Sequence, residues 1–157
     1  MLKGILNVSK KKAYKELIIV RNTIFWIDNV GESQNGIFAR PFNEKDAFPQ
    51  KLTSKKFIIK NKFHGYGGKS FKCINFKNNF YLIWIDQLTK ALWFQIFKEV
   101  PLNYRSQNKY LDTVQEARQL SKSIEVNFDS SFVISQKNFL YGICEINYRD
   151  RSEEHTS

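Results

Sequence analysis

Serine hydrolysis, metal ligation and phosphate binding each need a few side chains at fixed spacing, and this chain is sparing with all three sets. Its histidines are His64 and His155, and its cysteines are Cys73 and Cys144. A serine nucleophile elbow reads G-x-S-x-G because the sharp strand-to-helix turn needs glycine on both sides. The nearest stretch, Gly31-Glu32-Ser33-Gln34-Asn35, ends in asparagine. One or two histidines and two distant cysteines without a C-x-x-C supply neither tetrahedral zinc ligation nor a disulfide framework. Gly68-Lys69-Ser70 imitates the end of a phosphate-binding loop, but that motif needs glycine five residues before Gly68, where Phe63 stands, and a helix after it. Phe71–Phe76 reads as a strand instead. Paired carboxylates at catalytic spacing are absent, and the acidic residues mostly lie singly at turns. The expectation is no catalytic residue, no cofactor and no metal within this chain.

His64 sits in a glycine-rich turn, His64-Gly65-Tyr66-Gly67-Gly68, where a role in hydrogen-bonding the loop is the better reading. Gly67 and Gly68 permit positive φ at a tight turn entering a strand. The aromatics Trp26, Phe38, Tyr81, Trp84, Trp93 and Phe94 could stack bases or sugars, but they fall inside candidate strands and read as core. Trp84 and Trp93 flank one hairpin and are placed to pair across it.

The elements that carry these residues are short. Apolar runs rich in Ile, Phe, Tyr, Val and Trp, separated by Asn, Gly, Asp and Lys, predict strands at 17–20, 23–28, 37–41 and 50–53. Further strands are expected at 70–76, 79–86, 91–98, 124–127 with 132–135, and 139–145. Asn78-Asn79 and Asp86 to Lys90 read as hairpin connections. Only Asp112–Ser123 looks helical, with Val114, Ala117 and Leu120 or Ser121 on one side. Residues 1–15 form a lysine-rich polar lead-in.

The chain has 157 residues, 42% hydrophobic and 15% aromatic, with 14 Phe. That excludes wholesale disorder and fits one domain or part of one. No apolar run approaches the roughly 18 residues of a membrane span, and MLKGILNVSKKKAYK places its lysines after its apolar patch, the wrong order for a secretory signal. A cytoplasmic location with no membrane partner is the expectation. The formal charge is +10, but lysines outnumber arginines 19 to 6 and are scattered, while Asn (14) and Ile (16) are also abundant. These three residue types share A/T-rich codons, so codon usage explains the basic surface before nucleic acid does, and no specific nucleic-acid partner is expected.

The last seven residues, Arg151-Ser152-Glu153-Glu154-His155-Thr156-Ser157, read codon for codon as the translation of a common sequencing adapter. They are expected to be an adapter-derived tail, not native, and are set aside from fold reasoning. Without Arg151, Glu153 and Glu154 the chain has 24 basic and 13 acidic residues, net +11. On this reading the reading frame was cut by the end of a read, and the true protein continues beyond Asp150.

A Trp-Ile-Asp strand end occurs twice, as Phe25-Trp26-Ile27-Asp28 and Ile83-Trp84-Ile85-Asp86, 58 residues apart. Each is followed by a turn and another aromatic-bearing strand. Repeats of about 40–50 residues, each a four-stranded sheet, mark propeller blades. The fold expectation is all-β: an incomplete β-propeller over residues 16–150, its first two to three blades being four-stranded antiparallel sheets.

Lys51–Phe71, KLTSKKFIIKNKFHGYGGKSF, resembles a segment of the prolyl oligopeptidase family, in its acylaminoacyl-peptidase and dipeptidyl-peptidase-like branch. Leu52-Thr53 match the pair that closes a blade, Lys60 and Lys62 stand at usually basic positions, and His64, Tyr66, Gly67 and Gly68 match the H, Y, G and G of its turn. Ile24–Asp28 with Gly36–Pro41 upstream, and Phe80–Asp86, Leu88 and Leu92–Gln95 downstream, are similar to flanking strands in the right order; Phe139–Glu145 is similar more loosely. Gly65 replaces the usual Glu and Lys69 the third Gly, and the usual arginines have become lysines or disappeared, so any role resting on the missing Glu or Arg does not carry over. The resemblance implies an N-terminal propeller that restricts access of short peptides to a Ser-Asp-His α/β-hydrolase domain, which this chain lacks. The parent would be a serine peptidase and this fragment inactive alone. The alternative is a non-catalytic propeller or β-sandwich scaffold binding a protein or polyanion.

Overall fold

The computed structural model describes residues 15–29, 35–60, 70–106 and 108–121, with the backbone of 126–128, 133–134, 140–141 and 144–146. Strands β1 (Lys15–Val20), β2 (Thr23–Asn29), β3 (Asn35–Pro41) and β4 (Gln50–Lys51) form one antiparallel sheet in sequence order. Strands β5 (Phe71–Phe76), β6 (Asn79–Asp86), β7 (Ala91–Glu99) and β8 (Leu111–Gln119) form a second, again in sequence order. Beyond them β9 (Val126–Phe128) pairs antiparallel with β12 (Cys144–Ile146), and β10 (Val133–Ile134) with β11 (Leu140–Tyr141).

The hairpins follow from local chemistry. β5 and β6 close over two residues, Lys77 at φ 50 and Asn78 at φ 65, with Phe76 opposite Asn79. Two consecutive positive φ values give the primed turn whose twist matches that of the strands. Gly36 serves a close approach: a Cβ there would stand 2.6 Å from Lys51 Cε and 3.1 Å from Thr53 Oγ1. The absence of that Cβ lets the Thr53 hydroxyl accept a bond from Ile37 N at 3.1 Å.

The two sheets share a core. Phe25, Ile27, Ile37 and Ala39 from the first pack with Phe71, Cys73, Phe80, Leu82, Trp84, Phe97 and Leu111 from the second. Phe25 and Phe80 meet across the layers with ring centroids 5.6 Å apart. Leu52, Phe57 and Ile59 from the β4–β5 connection fill the same cluster. Alternation along β6 sends Leu82 and Trp84 into this core and Ile83 and Ile85 to the opposite face. That face carries a second cluster: Ile83 and Ile85 are buried with Leu92, against the half-buried Ile74 and Phe94. The second sheet is therefore apolar on both sides, unlike an outer layer of a two-sheet sandwich, which alternates apolar inside and polar outside. In the first sheet, the face away from the shared core carries Trp26, buried and stacked on Phe38 with centroids 6.2 Å apart.

The helix expected at Asp112–Ser123 is a strand. β8 pairs along β7 from Glu99↔Leu111 to Trp93↔Gln119. Leu111 is buried in the shared core and Ala117 packs against it, while Glu116 and Arg118 face solvent. Pairing with the free side of β7 satisfies a row of backbone groups, which a weakly amphipathic helix would have left open, so tertiary pairing overrides local propensity. Register shifts near Phe94–Ile96 and Ile96–Phe97 put extra residues into β8. Such bulges, with the charges of Glu116 and Arg118, blunt an edge strand against further pairing.

The all-β class and two of the expected four-stranded antiparallel sheets are present. The two Trp-Ile-Asp copies fall on the second strand of each sheet, β2 and β6. The sheets do not close into a ring among the described residues.

Candidate functional site

His64, Tyr66, Gly67 and Gly68 lie outside the described residues, but both ends of their segment are held in detail. Lys60 N donates to Ile85 O at 3.2 Å, and Ile85 N donates to Ser70 O at 3.0 Å, so one residue of β6 receives both ends. Ile58 N donates to Asp86 Oδ1 at 2.9 Å, and Gln87 N to Ile58 O at 2.7 Å. The Asn35 side chain pairs with the backbone of Ile59 in both directions, each bond 2.8 Å. Ser70 N donates to the Glu16 carboxylate from β1. Ser70 then leads into β5, so a strand follows Gly68-Lys69-Ser70 where a phosphate-binding loop needs a helix.

Asp86 is buried at the end of β6, and both of its oxygens are engaged. Oδ1 serves Ile58; Oδ2 accepts from Thr89 N at 2.9 Å and Thr89 Oγ1 at 2.7 Å. Thr89 Oγ1 in turn accepts from Trp93 Nε1 at 3.0 Å. The chain of bonds fixes the β6–β7 turn and orients Trp93, which stands opposite Trp84 in the ladder as the spacing implied. The Phe57 ring packs edge-on against both indoles, at 5.1 Å and 4.8 Å, and Lys56 Nζ lies over Trp93 at 5.4 Å. These aromatics are packing elements: Trp84 is fully buried, and its neighbours already cover the faces a base or sugar would need.

The opposite end of the sheets is more open. The β3–β4 turn and the β7–β8 connection face each other across a cleft of about 680 Å³, lined among others by Asn43, Glu44, Arg105, Ser106 and Tyr110. A smaller cleft of about 310 Å³ adjoins it and reaches Asn22 in the β1–β2 turn and Thr23 at the start of β2. Gln50 ties the two walls together: its Oε1 accepts from Tyr110 N at 2.7 Å and Leu111 N at 3.0 Å, and its Nε2 donates to Leu111 O at 2.9 Å. Arg105 Nε donates to Val100 O at 3.0 Å, and its guanidinium lies 6.0 Å from the Tyr110 ring centre. Arg40 Nη1 donates to the carbonyls of Pro41 and Glu44. Burial, then the Glu44 carboxylate, push the Tyr110 phenol above its ordinary value, against the opposing pull of Arg105 and Arg40. Tyr110 is therefore neutral at physiological pH and keeps its proton.

Burial raises the Cys73 thiol far above its ordinary value, which makes it a poor nucleophile. Among the described residues no group of three or more His, Cys, Asp and Glu is placed to hold a metal ion. No helix among them is long and apolar enough to cross a membrane. No family model, curated protein or solved structure matches the chain.

Sequence reasoning missed Asn35, Gln50, Arg105 and Tyr110. Gln50 was visible only as a strand end and Asn35 only as the residue that breaks the G-x-S-x-G pattern, because their partners lie about 60 and 24 residues away in sequence. Arg105 did carry a signal, as one of only six arginines in a lysine-dominated chain.

Proposed function

We propose that the two sheets are consecutive blades of a β-propeller that gates the active site of a prolyl oligopeptidase-family serine peptidase. The intact enzyme would hydrolyse short peptides through an acyl-enzyme on its α/β-hydrolase domain, and this chain would supply access control and no catalytic group. The observation that carries the reading is the repeat itself. Two four-stranded meanders follow one another, each with the same Trp-Ile-Asp on its second strand, and the second meander has buried apolar residues on both faces, as a layer inside a radial stack would. The resemblance through Lys51–Phe71 supports the family, and Lys60 and Ser70 within that stretch both bond to the backbone of Ile85.

The test is a fluorophosphonate probe applied to the polypeptide made from the complete gene and to this chain alone. Labelling of a serine in the former and none in the latter supports the reading; an unlabelled complete product overturns it.

A second reading, a non-catalytic propeller or sandwich scaffold that binds a protein or polyanion, draws on one observation. Phe42, Phe48, Leu102 and Tyr104 are all exposed large apolar side chains, and all belong to the two connections at the open end. Exposed aromatic clusters mark interaction surfaces more often than they occur by chance.

A further inference from the structure

Residues 58–60 bridge the two sheets, because successive backbone groups of an extended segment point to opposite sides. On one side Ile58 N and Lys60 N donate to Asp86 and Ile85 of β6, and Gln87 N donates to Ile58 O. Ile59 turns the other way and meets β3: its N–H donates to Asn35 Oδ1 and its carbonyl accepts from Asn35 Nδ2, both at 2.8 Å. One carboxamide of the first sheet thus satisfies both backbone groups of a buried residue. A carboxylate in its place could not, since it only accepts. Asn35 is followed by Gly36, the only Asn-Gly pair in the chain. Crowding favours glycine at that position: a Cβ would stand 3.1 Å from Thr53 Oγ1, which is itself held by Ile37 N. The tie to Ile59 and the close approach to Thr53 therefore set side by side the two residues between which backbone attack on a side-chain amide is least hindered, since Gly36 carries no Cβ beside its nitrogen.

We propose that Asn35 is a site of spontaneous deamidation, with water as the co-reactant, and that the modification unties the first sheet from residues 58–60. The Gly36 nitrogen attacks Asn35 Cγ, the new C–N bond closes a succinimide, and the side-chain nitrogen leaves as ammonia, taking the Gly36 amide proton. Water then opens the ring at one of its two carbonyls and leaves aspartate or isoaspartate at position 35, with no oxidation or reduction. The folded strand keeps the reacting groups apart, because Gly36 is paired opposite Asp28 and the carboxamide is bonded to Ile59. The reaction therefore runs from molecules in which the tie has opened, and its product does not re-form the tie. Aspartate has no N–H for the Ile59 carbonyl and sets a charge against it, while isoaspartate adds a carbon to the backbone and shifts the strand. Each opening that reacts is captured as an aged form whose sheets are held less tightly at this end. The proposal is independent of the peptidase reading, since it needs only Asn35, Gly36 and Ile59.

The experiment incubates the full chain in mildly alkaline buffer, folded and in concentrated urea, and follows the amide-to-acid mass change in the tryptic peptide that contains Asn35-Gly36. Conversion is expected in both, about tenfold to a hundredfold more slowly in the folded chain, the protection that one or two buried hydrogen bonds supply. Converted molecules, separated by ion exchange on their added negative charge, should exchange the backbone amides of 58–60 for deuterium about tenfold faster than unconverted ones, the factor for one lost bond. Amides of 82–84, in the middle of β6, should exchange alike in the two. Asn35→Asp should show the faster exchange without incubation. Equal conversion rates in the folded and unfolded chains overturn the proposal, as does absence of conversion in the folded chain after about a hundred unfolded half-lives, beyond what two such bonds protect. Equal exchange at 58–60 in converted and unconverted molecules overturns it as well. Conversion and exchange are both read on the unaltered sequence, so they decide the matter even where Asn35→Asp impairs folding.

Discussion

Replacing Ile83 by Ala tests whether the second sheet is an inner layer. Ile83 is 1% exposed and lies on the face away from the first sheet, beside Ile85, Leu92 and Phe94. Its neighbour Leu82 is fully buried on the face toward the first sheet. Each substitution to Ala removes three carbons. At about 0.8 kcal/mol per buried carbon, each loses about 2.4 kcal/mol of transfer free energy, and the residual cavity brings the cost to about 2–5 kcal/mol. The two variants should therefore destabilise comparably, within about 1 kcal/mol of each other, although they point in opposite directions. Urea unfolding followed by tryptophan fluorescence reads the difference, with Trp84 adjacent to both sites and slopes compared to confirm that the unfolded surface is unchanged. A surface substitution falls within about ±0.5 kcal/mol. A cost that small for Ile83→Ala, beside a full cost for Leu82→Ala, would refute the second packed face and with it the stacked-sheet argument.

Other consequences are separately measurable. Gln50→Leu leaves Tyr110 N, Leu111 N and Leu111 O without their side-chain partner, and should cost about 2–4 kcal/mol in urea unfolding, the range for two or three orphaned backbone groups. Asn78→Gly relieves a positive φ of 65 in a two-residue hairpin and should stabilise by about 0.5–1 kcal/mol in the same assay. In a Cys144→Ser background, Cys73 should resist a thiol reagent in the native state and react on unfolding, because burial holds its proton. The sign for pH follows from the same shift: the stabilisation is fully present below the ordinary thiol value of 9.0 and is lost as pH rises above it, since only the unfolded chain then releases the proton. Unfolding midpoints measured from pH 8 upward should fall, and Cys73→Ala should reduce the slope.

Most of the strand pattern was legible because it rests on local signals. Period-2 apolar runs and turn residues located β1 to β7 to within a few residues, and the 58-residue recurrence of Trp26 and Trp84 foretold that both sit on equivalent strands. β8 was misread because its sequence, LDTVQEARQ, has helix-forming residues and no strand composition; only the unpaired side of β7 makes it a strand. The ties that hold the sheets together were out of reach for a different reason. Asn35 to Ile59, Gln50 to Tyr110 and Asp86 to Ile58 are single side chains meeting backbone far along the chain, and no periodicity encodes such a meeting. Arg105 and Tyr110 likewise become neighbours of Glu44 only when the two connections face each other. The glycine-rich segment around His64 lies outside the described residues; what the structure adds is that Lys60 and Ser70, on either side of it, both bond to Ile85.

The most direct measurement on the central functional claim is active-site labelling of the product of the complete gene with a fluorophosphonate, followed by mapping of the modified peptide. One labelled serine is expected, outside the 157 residues of this chain, with no label on the chain by itself. A complete product that takes no label, or a labelled serine within this chain, would contradict it.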